Sequence, residues 1–323
     1  MAEVDGVGPA GPQKSPSLNH VGQPTAGRTM SRISLLFVLG LSGLMISGCL
    51  SLAPTSTATR EPSRTDNVNA LLARADQQRQ VADTREKIAT LLETYESVLK
   101  VDPEHFQSLS NLAQYHILLG TGYSDKRSQK RRHYKEAITY SERIMYLNGD
   151  FRARINAGQT LWEASEVLTK NEADGMGWWS TAVFYYFKEC IPDAFKIFNV
   201  QWIKRNKVFL DRIEAVDPDW KSGANYFNLG IYYLALPKSV GGDLKRSAEY
   251  LQKAKSVGPN RLLIPWGRAK YYYYNQKNRQ GFRKDLEWVL AQDPHRPTGD
   301  TYPWAIYFQT QARSLLASID ELF

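Results

Sequence analysis

Cysteine is scarce in this chain of 323 residues: there are two, Cys49 and Cys190, and five histidines. Two cysteines cannot build a disulfide framework, and their spacing is not that of a zinc site. The histidines, at 20, 105, 116, 133 and 295, include no HExxH pair, which excludes a zinc hydrolase of that type. A P-loop and a GxSxG elbow are also missing, and with them the phosphate-binding loop and the serine hydrolases they mark. The net charge of +8 favours anionic neighbours but falls short of a chain that coats nucleic acid. With 42% hydrophobic and 23% charged residues, the chain is able to bury a core.

What is present begins with an address. Residues 1–29 are rich in Gly, Pro and Ser without apolar periodicity, so they are expected to be a disordered extension ahead of the working start at Met30. From Met30 the chain reads as one basic residue, an apolar run over Ile33–Ile46, then Ser47, Gly48 and Cys49, the pattern of a secretory signal over 30–48. The run is shorter than the ~20 residues a bilayer requires. Ile46–Cys49 resembles the lipobox of bacterial lipoproteins, in which the cysteine is acylated and becomes the new N-terminus; an uncleaved anchor helix is the alternative. Leu50 in place of Asp after that cysteine resembles lipoproteins passed on to the outer membrane. Residues 49–68 have the Ser/Thr/Pro composition of a tether. Cys190 is expected to be buried, with Phe187, Ile191 and Phe195 around it.

The body, 69–323, is a repeat. Tyr95–Pro103, Leu210–Pro218, Leu251–Pro259 and Leu286–Pro294 each place apolar residues eight and five positions before a proline. Those positions share one helical face, and the proline punctuates the turn that follows. A fifth copy, Ala137–Gly149, keeps the face through Ile144 and ends in glycine. The preceding helices carry Tyr226, Leu229, Gly230 and Tyr233, then Trp266, Ala269 and Tyr273, and less fully Leu109, Leu112 and Ala113. This is the first-helix half of a tetratricopeptide repeat, in which a small residue lets antiparallel helices approach. Lys270 stands where the last repeat wants a small residue. The fold expected is therefore all-α: a tetratricopeptide-like helical solenoid with divergent repeats. Insertions are expected at Gly120–Arg132 and Leu236–Asp243. An apolar helix is expected through Trp178–Phe187, ending near Pro192. A single C-terminal capping helix is expected through Trp304, Phe308, Ala312, Leu316, Ile319 and Phe323.

Taken together, the lipobox, the repeat helices, the Leu236–Asp243 loop, the helix bearing Trp178 and Trp179, and the Ala312–Phe323 ending resemble the T-component (TatT) family of tripartite ATP-independent periplasmic (TRAP) transporters. The likeness covers roughly 88–323. It implies a periplasmic lipoprotein, a homotrimer, that docks the transporter's solute-binding protein and contributes a crevice or pore for a hydrophobic ligand. No cofactor or metal is expected from the residues, and no nucleic acid, because the chain reads as exported. The alternative is a scaffold lipoprotein that recruits envelope or cell-wall assembly proteins.

Two working surfaces stand out. Ligands of a solenoid lie on the concave face formed by its first helices, which here places Phe227, Ile231, Leu234, Tyr271 and Tyr274 there. The competing reading packs these residues against the 301–323 helix or the aromatic 178–187 helix; if they are free, alanine at Phe227 or Tyr271 weakens binding without unfolding the protein. The basic run Lys126, Arg127, Lys130, Arg131 and Arg132 is expected as a solvated loop suited to steering an acidic partner or touching anionic headgroups. Gly241, Gly242 and Asp243 read as a left-handed turn followed by a helix cap. Asp285 and Glu287 are expected on solvated faces, and no catalytic constellation is seen, so an enzyme is not expected.

Overall fold

The computed structural model describes residues 65–296 and 299–323. The prefix, the signal-like run, Cys49 and most of the tether stretch lie outside them. Fourteen α-helices and no strand occur among the described residues. Helix α1, Thr65–Arg79, starts inside the stretch expected as tether and pairs with α2, Arg85–Val101. Thr84 caps α2 by accepting from the Lys87 amide, and Ile88, Leu91, Tyr95 and Val98 form its buried stripe. Helices α3 (Phe106–Gly122) and α4 (Arg127–Tyr146) form the next hairpin. Short helices α5 (Gly149–Asn156) and α6 (Leu161–Ala164) lead to α7 (Ala173–Cys190), which packs on α3 and α4.

Helix α8 (Asp193–Val216) follows across Pro192, which ends one helix and stands at the N-cap of the other. Then come α9 (Trp220–Ala235) with α10 (Leu244–Val257), α11 (Leu263–Gly267), α12 (Arg279–Leu290), α13 (Tyr302–Ala317) and α14 (Ile319–Leu322). The four proline-marked copies coincide with the C-termini of α2, α8, α10 and α12. The small repeat position has its expected cause at Gly230, where a Cβ would stand 2.8 Å from the Leu251 side chain of the partner helix.

Several expectations are corrected. The basic stretch is the opening of α4 and not a loop: Lys, Arg and Gln are good helix formers, and no Gly or Pro interrupts them. The C-terminal cap is two pieces, broken at Ser318. The helix begun by α11 widens into a π-helical segment, Arg268–Tyr273, that contains Lys270. There the Lys270 ammonium is carried across to Gln311 of α13, 2.9 Å away. Asp285 is buried on the Arg268 guanidinium through two bonds of 2.6 Å, and only Glu287 is exposed.

The C-terminal end does not run on as an open superhelix. Helix α13 returns to α3: the Tyr307 hydroxyl lies 3.3 Å from Thr121 Oγ1, and a Cβ on Gly122 would meet the Tyr307 ring at 2.8 Å. The α3–α4 hairpin and the last long helix touch, and the contact narrows the concave side.

Candidate ligand cavity and docking surface

Inside this closure lies a cavity of about 210 Å³. Its walls come from the first helix of each layer: Asn111 and Gln114 of α3, Trp178 and Phe184 of α7, Phe227 and Ile231 of α9, Tyr271 of the π segment, and Trp304 and Phe308 of α13. Ile203 and Leu210 of α8 complete the apolar side. One flank is a buried polar network around Asp174. Its carboxylate accepts from Ser110 Oγ at 2.5 Å, from Trp220 Nε1 at 2.8 Å and from the Lys221 ammonium at 2.9 Å. Trp178 Nε1 donates to the same Ser110 hydroxyl, 3.0 Å away.

The chain reaches this geometry through a left-handed turn at the head of α9. Lys221, Ser222 and Gly223 have φ of 45°, 50° and 84°. Positive φ costs a non-glycine residue about 1–2 kcal/mol, and such strain concentrates where a site must be held in shape. Here it sets Trp220 and Lys221 over Asp174. Gly177 is required beneath, since a Cβ there would fall 2.2 Å from the Trp220 ring.

At the far end, Tyr271 accepts a hydrogen bond from the Lys188 ammonium, 3.2 Å away. Burial, with Lys188 nearby, holds the Lys270 ammonium down at about 8. Burial also pushes the Tyr185 and Tyr271 hydroxyls well above the ordinary phenol range. Behind the wall, burial pushes Glu142 up to about 7, opposed by a hydrogen bond from Trp179 Nε1 at 3.1 Å.

Of the five groove residues expected from sequence, Phe227, Ile231 and Tyr271 meet on this cavity. Leu234 is half-buried on the α9 core cluster, and Tyr274 stands at the surface with its ring against Phe323, so neither lines it. The two helices expected as competitors for the groove, α13 and α7, each supply a wall of the cavity. Sequence reasoning missed Arg79, Arg261, Trp220 and Trp304. Trp220 had a local signal, the glycine three residues on; the others are brought in by closure and had none.

The outer surface carries the second candidate. Lys126, Arg127, Arg131 and Arg132 lie at the start of α4; Arg127 is near the head of α8, where Asp193 feels its charge, while Arg132 is on the side of His116 and His133. Lys130 is drawn inward, 2.8 Å from Glu189, which also accepts from Tyr134 at 2.7 Å. Phe195, Ile197 and Phe198 stand exposed on the first turns of α8, Phe198 at 71%. Cys190 is buried as expected, but Phe195 points to solvent and does not cover it. Among the described residues no helix is long and apolar enough to cross a membrane.

A helical-repeat shell curled around an apolar cavity, with a charged outer face, is the build of a binding protein. The family model of the TRAP transporter T-component matches residues 77–323, and the chain belongs to that family. Comparison with curated proteins gives no match.

Proposed function

We propose that this protein, an accessory component of a TRAP transporter, docks the transporter's solute-binding protein on its basic outer surface and holds a ligand with an apolar body in the internal cavity. It acts by binding rather than by catalysis. In this reading Cys49 is acylated, the chain is held on the periplasmic face of the outer membrane, and it assembles as a homotrimer, as the family resemblance suggests.

The observation that carries the docking reading is that Arg127 and Arg131 lie by the α7–α8 junction, Arg127 near Asp193 and both near Cys190, where Phe195, Ile197 and Phe198 stand exposed on the first turns of α8. Buried aromatic anchors surrounded by a charged rim are what a protein interface uses, and the positive sign selects an acidic face. The test is a titration of the full chain with the cognate solute-binding protein at low and high salt. Expected is binding that weakens as salt screens charges beyond about 10 Å, and weakens further in an Arg127→Glu, Arg131→Glu variant. Binding indifferent to both salt and charge reversal would remove this surface from the account.

A further inference from the structure

Three lysine ammonium groups gather behind the Tyr185 and Tyr271 end of the cavity, outside its lining. Lys130 comes from the first turn of α4, Lys188 from the last turn of α7 and Lys270 from the π segment. One carboxylate, Glu189, stands among them. It accepts from Lys130 at 2.8 Å and from the Tyr134 hydroxyl at 2.7 Å. The partners of the other two lysines are neutral. Lys188 donates to the Tyr271 hydroxyl at 3.2 Å, and Lys270 to the side-chain oxygen of Gln311 at 2.9 Å. Both ammonium groups also lie on one ring, 4.7 and 5.9 Å from the centre of Tyr271.

Charge drawn out of water is costly unless it is paired. Lys207 and Lys221 show the ordinary solution, each on a carboxylate of its own, Asp211 at 2.6 Å and Asp174 at 2.9 Å. Around Glu189, by contrast, three positive charges face one negative. Burial, and after it the charges of neighbouring lysines, holds Lys188 and Lys270 below the ordinary lysine range, Lys270 at about 8. Burial pushes the Tyr134, Tyr185, Tyr271 and Tyr307 phenols above theirs, so these tyrosines add hydroxyls to the cluster and no negative charge. Lys196 of α8 adds its field to Lys188 but is itself paired with Asp193. Solutes can reach the cluster: Lys188 and Lys270 are half-buried, and the Lys130 and Glu189 side chains keep 22% and 15% of their surface.

We infer that the ammonium groups of Lys130, Lys188 and Lys270 bind a small, doubly charged oxyanion of the phosphate or sulfate type. The two positive charges in excess match the two negative ones of such an anion. An ammonium meets an oxyanion as a point charge with three rotatable donors, of which Lys188 and Lys270 each spend one on a neutral side chain. The site is distinct from the apolar cavity, since none of the three lysines, Glu189 or Gln311 lines it. It stands whether or not the cavity and the outer surface work as proposed above.

The experiment is calorimetric titration of the purified full chain with sodium sulfate at fixed ionic strength, with sodium nitrate as the singly charged probe. Sulfate keeps both charges throughout the range in which lysine titrates, so any pH dependence belongs to the protein. Expected is one saturable site per chain, at least tenfold tighter for sulfate than for nitrate, and weakening as pH rises through about 8 and Lys270 gives up its proton. Lys188→Gln and Lys270→Gln each keep a donor for the present partner and remove the charge, and each should weaken sulfate severalfold. Lys284→Gln, at an exposed position of α12, should bind as the wild type does. Sulfate should also raise the melting midpoint of the wild type more than that of either charge-removing variant. In the unsubstituted protein, sulfate should protect Lys188 and Lys270 from acylation, read by peptide mass spectrometry. Absence of saturable sulfate binding, or sulfate and nitrate binding alike, would overturn the inference. So would affinity unchanged in both charge-removing variants, or acylation of both lysines indifferent to sulfate, by placing the anion elsewhere.

Discussion

Individual residues carry more than one task here. Phe227 is a wall of the cavity and also part of the α9 core cluster, only 5% exposed, seated on Gly267, where a Cβ would come within 2.3 Å of its ring. The expectation that alanine there would spare the fold does not suit this position. Phe227→Ala should cost roughly 3–5 kcal/mol, read as a lowered denaturation midpoint together with lost ligand binding. Glu142 offers a cleaner test. Burial raises its carboxyl from an ordinary 4.5 to about 7. The folded protein thus keeps a proton that the unfolded chain has released, and the stabilisation is complete below pH 4.5 and lost as pH rises through 7. Relative to a Glu142→Gln variant, the wild type should lose stability over that window by up to roughly 3 kcal/mol, measured by denaturant titration at several pH values. A difference that stays flat with pH would show that Glu142 ionises as freely as in the unfolded chain. The wild-type profile alone is less direct, because burial lowers His116 to about 3 and His133 to about 4 and these act in the opposite sense below pH 6.5.

At the scale of elements, what was legible in sequence was what is local. The apolar pair ahead of each proline marked the ends of α2, α8, α10 and α12 because both face and terminator lie within nine residues. Gly230 was legible as a close-approach position because its repeat context sits on the same helix. Two features were misread for lack of a local sign. The run from Lys126 to Arg132 looks like a solvated loop by charge, yet it is a helix because nothing in it breaks one. Asp285 looks solvent-facing, yet Arg268 seventeen residues earlier folds onto it. The opening of α4 also separates structure from function. Lys126 occupies its N-cap without a side-chain cap bond, and no acidic residue lies in the first turn. Lys126→Asp should therefore stabilise the protein by about 1 kcal/mol while weakening docking of the solute-binding protein. A loss of both would mean that Lys126 supports the fold. At the head of α8, Phe198→Ser should leave stability within about 0.5 kcal/mol and reduce docking severalfold, checked by melting and by the same binding titration.

For the whole molecule, the decisive event is closure. The likeness of the repeats announces a solenoid, and a solenoid ordinarily offers an open groove. Nothing in the sequence announces that residue 307 meets residue 121, since no periodicity spans 186 positions. That contact turns the groove into a cavity. It brings Arg261 and Trp304 to a cavity whose other walls are α3, α7, α8, α9 and the π segment. The measurement that tests this most directly is oxidative cross-linking of a Gly122→Cys, Tyr307→Cys variant of the full chain, with each single variant as control. The closed shell predicts an intramolecular disulfide in the double variant alone, seen as a faster-migrating species and as a cross-linked peptide pair by mass spectrometry. Two thiols that remain separately alkylatable under oxidant, in a protein with wild-type helicity, would mean an open groove and contradict the account.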